Sequence, residues 1–175
     1  MVGLDLAGDK ALRGGSQQRM PSCRARGVGM PRAVHTGEIV GAESAREAID
    51  FPESQRVDHS VQLGEDPSLL EPLRKLGITL QKCPTGSVQT RAIPSLSEHP
   101  IDRHMKESPV VTVNTDGRTN SNTTLSQKCL GLSRQSGWRL DQSQCTISAA
   151  TGKLLLAEGR KAALHRMIPD CWPDP

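Results

Sequence analysis

Short apolar runs alternate with longer amphipathic stretches along this chain. Residues 2–7 read as a strand that ends in a turn at Gly8-Asp9. A loose helix-like stretch follows and is broken at Gly14-Gly15. Residues 31–34 and 55–58 read as short strands, with a short helix of good formers over 43–49 between them. Over 67–76, Leu69, Leu70, Leu73 and Leu76 recur at helical spacing on one face, and Gly77 closes the element. Residues 78–82 predict a strand. Ser95 lies three residues before Glu98, a capping-box spacing that predicts a helix opening near His99-Pro100. The clearest strand covers 109–114, with Val110, Val111 and Val113. Helices near 123–137, 142–156 and 159–167 finish the chain.

This is a run of about five strand–helix units. Such alternation argues for an α/β fold, a parallel sheet with helices packed on it. A (β/α)₈ barrel uses ~250 residues, roughly 31 per unit, so five units need about 155. The 175 residues fit five units plus a tail and do not fit eight.

The notable polar residues fall just past the strand ends. Gly8 and Asp9 follow the first strand, His35 and Glu38 the second, His59 the third, residues 84–87 the fourth and Asp116 the fifth. In a parallel sheet these positions share one edge, the carboxyl end of the strands, where barrel chemistry takes place. Imidazole and carboxylate groups there suit metal-assisted hydrolysis: both bind zinc, and the ion brings the pKa of water it holds to about 7. A nearby glutamate and a non-ligand histidine can then move protons. Singly, each residue has a plainer reading. A histidine beside a strand is most often a surface or hydrogen-bonded residue, Glu38 an acid at a helix start, and Asp116-Gly117 a turn. The ordered set carries the argument.

Composition narrows the function classes. The aromatics are Phe51, Trp138 and Trp172, so the core must rest on aliphatic side chains and there is almost no platform for base stacking. The net charge of +3 is mild, and the early Lys10, Arg13, Arg19, Arg24, Arg26 and Arg32 read as a solvated face rather than a nucleic-acid surface. Five cysteines, none in C-x-x-C spacing, argue against a disulfide framework or a cysteine zinc site and fit reduced thiols in the cytoplasm. The first residues lack the features of a signal peptide, and no apolar run approaches membrane-spanning length.

Five motifs in order resemble the adenosine deaminase family. Gly3-Leu-Asp-Leu-Ala-Gly-Asp9 is similar to G-x-D-L-A-G-D-E, Val34-His-Thr-Gly-Glu38 to V-H-A-G-E, and Arg56-Val-Asp-His59 to R-I-G-H. Cys83-Pro-Thr-Gly-Ser-Val-Gln-Thr90 is similar to C-P-T-S-N-V-Q-T, and Val111-Thr-Val-Asn-Thr-Asp116 to V-T-V-N-T-D. Glu98-His-Pro-Ile101 and Leu164-His-Arg-Met-Ile-Pro169 extend the likeness over nearly the whole chain. The resemblance implies a zinc-bearing (β/α)₈ TIM barrel of which this chain holds the fourth to eighth strands. It also implies hydrolytic deamination of adenosine or 2'-deoxyadenosine to inosine or deoxyinosine. By the same resemblance His35 and Asp116 are zinc ligands and Glu38 protonates the purine ring. His59 orients and deprotonates the attacking water, and Gly8 meets the purine. Gly117 stands where related enzymes place a further purine contact.

Several positions depart from the pattern. The family's first strand carries H-x-H, two further zinc ligands, and no H-x-H occurs in this sequence. Lys10 stands for a family glutamate, and Gly86-Ser87 for Ser-Asn. Asp58 stands for a glycine, where it is expected to raise the pKa of His59. Residues 1–175 are therefore expected to form one truncated deaminase-like barrel domain. Zinc is held weakly, catalysis by the chain alone is not expected, and five strands leave open edges through which the chain self-associates. The alternative function is that of an inactive remnant or oligomerising fragment. No nucleic-acid or membrane partner is expected.

Overall fold

The computed structural model describes residues 3–7, 19–36, 41, 46, 54–107 and 110–168. Among the described residues five strands form one sheet: β1 (Leu4–Leu6), β2 (Arg32–Thr36), β3 (Arg56–His59), β4 (Thr79–Lys82) and β5 (Val111–Val113). All neighbouring pairs are parallel and the spatial order follows the chain order, β1-β2-β3-β4-β5. Sequential parallel strands joined by helical crossovers are the repeating unit of a (β/α)₈ barrel, and the chain forms a five-stranded part of one.

The helices are α1 (Arg19–Gly27), α2 (Leu70–Lys75), α3 (Pro84–Gln89), α4 (Ile101–Glu107), α5 (Arg118–Ser121), α6 (Leu125–Ser136), α7 (Leu140–Gly152) and α8 (Glu158–Met167). The long predicted helix over 67–76 begins as a 3₁₀ turn, Pro67–Leu69, and becomes α-helical at Leu70. Asp66 causes this tight start, because its side chain accepts from Ser68 N and holds the first turn. The predicted capping box at Ser95 does not form. Ser95 Oγ instead donates to the Glu98 carboxylate at 2.6 Å, a 3₁₀ turn covers Leu96–Glu98, and α4 starts beyond Pro100. A true capping box closes α6, where Thr124 and Gln127 bond reciprocally. The short helices α3 and α5 are absent from the sequence reading: their Pro, Thr, Gly, Ser and Asn content reads as loop.

Aliphatic residues fill the space between sheet and helices, as the scarcity of aromatics requires. Val34, Val57, Leu80, Val111 and Val113 from the strands meet Leu63, Leu70, Leu73 and Ile101 from the crossovers and Leu132 from α6. Trp138 joins them with its ring buried and its Nε1 donating to Asp102 Oδ1. The predicted helix over 43–49 lies almost wholly outside the described residues.

Candidate active site at the carboxyl edge of the sheet

The strands deliver the predicted residues to one place. His35 is the fourth residue of β2, His59 is the last of β3, and Asp116 lies three residues beyond β5. One donor atom from each of His35, His59 and Asp116 falls within 4.8 Å of the others. The two imidazole rings are 5.0 Å apart, and His59 Nε2 stands 4.0 Å from Asp116 Oδ2. Gly117 follows Asp116 directly and is the N-cap of α5. Glu38 and Gly8 lie outside the described residues.

Backbone geometry explains how residues from three strands converge. Alternate residues of a strand point to opposite sides, so Asp58 and His59 would separate if β3 continued regularly. His59 and Ser60 instead adopt left-handed conformations, φ 61° and 46°, and turn the chain at the strand end. Asp116 does the same after β5, with φ 58°. Each such residue costs on the order of 1–2 kcal/mol. Local bonds hold the turn: Ser60 N donates to Thr36 O at 2.9 Å, and the buried Lys82 ammonium donates to the His59 and Ser60 carbonyls at 2.7 and 2.9 Å. Strain that persists because its surroundings fix it is common at working sites.

A second set of contacts lies on the other side of His35. Its Nδ1–H donates to Asp5 Oδ1 at 3.1 Å and stands 3.4 Å from Asp58 Oδ2. Parallel register places Asp58 there, since His35 and Asp58 are Cα partners. Asp58, expected from sequence to act on its chain neighbour His59, pairs across the strands with His35. Burial opposes a charge on His35, yet the hydrogen bond to Asp5 and the charges of Asp58, Asp5 and Asp116 together outweigh it and raise the pKa above 6.5. Burial, only partly offset by His35, pushes the Asp58 carboxyl up to about 6. Neither Asp5 nor Asp58 was read as a partner of His35 from sequence. The signal was present in G-x-D ending the first strand and D-H ending the third.

The donor set fits a borderline divalent cation. Imidazole nitrogen and carboxylate oxygen are zinc ligands, and the three groups converge from separate strands with Asp116 half-exposed to admit water. Gly86 of α3 leaves room beside the aspartate: a Cβ added there would lie 3.6 Å from Asp116 Oδ2.

The profile of the adenosine deaminase family matches residues 1–169. The adenosine deaminase of Erwinia tasmaniensis is 30% identical over 168 residues, which covers 96% of this chain and 51% of that protein. The adenine deaminase of Arthrobacter aurescens superposes with a TM-score of 0.90 at 22% identity, over 98% of this chain and 52% of that one. A zinc-bound amidohydrolase of Burkholderia ambifaria superposes with a TM-score of 0.80 at 20% identity, over 95% and 49%. The chain thus spans about half the length of the curated relatives it matches. Ordered motifs, a sequential parallel sheet and a His–His–Asp cluster at its carboxyl edge agree with these matches, and the chain belongs to the adenosine deaminase family.

Proposed function

We propose that this chain supplies the carboxyl-edge part of a zinc-assisted site that hydrolyses the exocyclic amine of adenosine or 2'-deoxyadenosine. Water adds at C6 of the purine, the carbon–nitrogen bond breaks, and ammonia leaves with inosine or deoxyinosine as product. The convergence of His35, His59 and Asp116 within 4.8 Å carries this reading. His35 and Asp116 would hold the zinc ion, which supplies a water acidic enough to react at neutral pH. His59, buried and anchored through its carbonyl by Lys82, orients that water and takes its proton. Glu38 protonates the purine ring, while Gly8 and Gly117 lie against the base. The reaction would take place in the cytoplasm. No described helix is long and apolar enough to cross a membrane.

The experiment is an absorbance assay of purified protein with zinc and adenosine. Inosine formation above a metal-free blank supports the reading. Zinc-loaded protein that forms none would remove catalysis by this chain alone.

A second reading is favoured by the sheet itself. β1 and β5 are its outer strands, and outer strands offer backbone groups to another chain. In this reading the protein does not catalyse and self-associates through those edges. Sedimentation as a monomer at all concentrations, with cooperative unfolding, would exclude it.

A further inference from the structure

Asp5, His35 and Asp58 form a cluster separate from the one that carries the deaminase reading. His35 alone belongs to both. We infer that Asp5 Oδ1, His35 Nδ1 and Asp58 Oδ2 constitute a second metal position, able to take a borderline divalent cation such as Zn²⁺ or Co²⁺ without help from His59 or Asp116.

Geometry is the first argument. Ligand atoms about 2.1 Å from a tetrahedral zinc ion stand about 3.4 Å from one another. His35 Nδ1 lies 3.1 Å from Asp5 Oδ1 and 3.4 Å from Asp58 Oδ2. Both separations are close to that spacing, and all three ligand atoms lie within 4.8 Å of one another. The His59–Asp116 separation of 4.0 Å is looser.

The second argument is an unsatisfied group. Asp58 is 2% exposed, and its Oδ1 is buried without a hydrogen-bond partner. A buried carboxylate oxygen left in that state is unfavourable. A cation held at Asp58 Oδ2 compensates that buried carboxylate. Asp5 is 55% exposed on its side chain, so the position opens to water on that side. One nitrogen and two oxygens with open coordination sites select zinc, cobalt or manganese rather than soft metals.

A plainer role for Asp5 and Asp58 is to orient His35 as a ligand of the other cluster. Removing an outer partner of that kind lowers metal affinity by about 10–100-fold. The test uses Asp116→Asn, which leaves the deaminase cluster with two histidines. Zinc and cobalt binding to the full chain are measured by equilibrium dialysis and by cobalt absorption bands. If the second position exists, Asp116→Asn retains one metal equivalent, and adding Asp58→Asn lowers affinity more than about 100-fold, beyond an orienting effect. Loss of binding in Asp116→Asn alone, or no change on adding Asp58→Asn, would overturn the inference. Asn preserves the shape of the buried side chain, and a circular dichroism melt of each metal-free variant verifies that it folds. The deaminase reading fails on a different result, the absence of turnover, so the two can be told apart.

Discussion

The side chain of Lys82 reaches the main-chain carbonyl of His59 at 2.7 Å and continues to that of Ser60 at 2.9 Å. A fully buried amine thereby ties β4 to the left-handed turn that aims His59 into the site. Burial lowers its pKa to about 7, and the amine can donate both bonds in either protonation state. Lys82→Met removes an expensive buried amine but takes its bonds from the His59 and Ser60 carbonyls, leaving Ser60 O the longer bond from Leu63 N at 3.3 Å, at a cost of about 1–3 kcal/mol. The second effect wins, and the variant is expected to lose about 2 kcal/mol in urea unfolding at pH 7.5. Unchanged stability would mean that the His59 turn holds itself.

Acid should destabilise the fold through His99 and His104. Both are buried, and neither ring has a hydrogen-bond partner on either nitrogen. Burial, then the charges of Lys82, Lys128 and His59, lowers His99 to about 3. Burial, then Lys82, His99 and Arg103, lowers His104 to about 2. The unfolded chain takes up protons below pH 6.5 while the folded chain does not, so stability is greatest above 6.5 and falls as pH drops. Each unit in that window costs about 1.4 kcal/mol per histidine. Urea midpoints at pH 7.5, 6 and 5 measure the slope. His104→Phe fills the same space with an apolar ring and should roughly halve it.

These buried histidines also mark the limit of what the sequence discloses. The five strands and their common edge were legible because valine, isoleucine and leucine runs bounded by turn residues have few alternatives. The meeting of His35, His59 and Asp116 followed from strand order alone. Burial of Lys82, Lys128 and His104 was not legible, since charged and polar residues ordinarily mark an exposed face and only tertiary packing reverses that. The pairing of Asp58 with His35 was not legible either. The neighbour of Asp58 in the chain is His59, while its neighbour across the parallel ladder is His35, and register cannot be read from one strand. Helices α3 and α5 were missed because they are held by their position after β4 and β5 rather than by propensity.

Close approach of backbone makes Gly3 sensitive. A Cβ at that position would stand 2.7 Å from Leu155 Cδ1 and 3.2 Å from Pro31 O. The leucine can rotate away, but the carbonyl accepts from Leu4 N at 2.8 Å and is fixed by the β1–β2 ladder. Gly3→Ala should therefore lower stability by about 1–2 kcal/mol, the usual cost of overpacking. Thermal unfolding checks it, and a Tm equal to the parent's would show that the β1 entry yields freely.

Gly86 should separate stability from metal binding. It lies in the middle of α3, where glycine is less favourable than alanine by roughly 0.8–1 kcal/mol. A single added methyl meets Asp116 Oδ2 at 3.6 Å and Cys83 Cβ at 3.7 Å, both ordinary contacts. Gly86→Ala should accordingly raise stability by about 0.5–1 kcal/mol. The same methyl places an apolar surface against the carboxylate that faces His59, so it should weaken zinc at the His35–Asp116 cluster. Gly86→Val, with two further carbons and a stiff side chain, should displace the aspartate and weaken zinc more. Unfolding curves of metal-free protein measure the first effect and zinc dialysis the second. A valine variant with parental zinc affinity would show that Asp116 does not hold the ion.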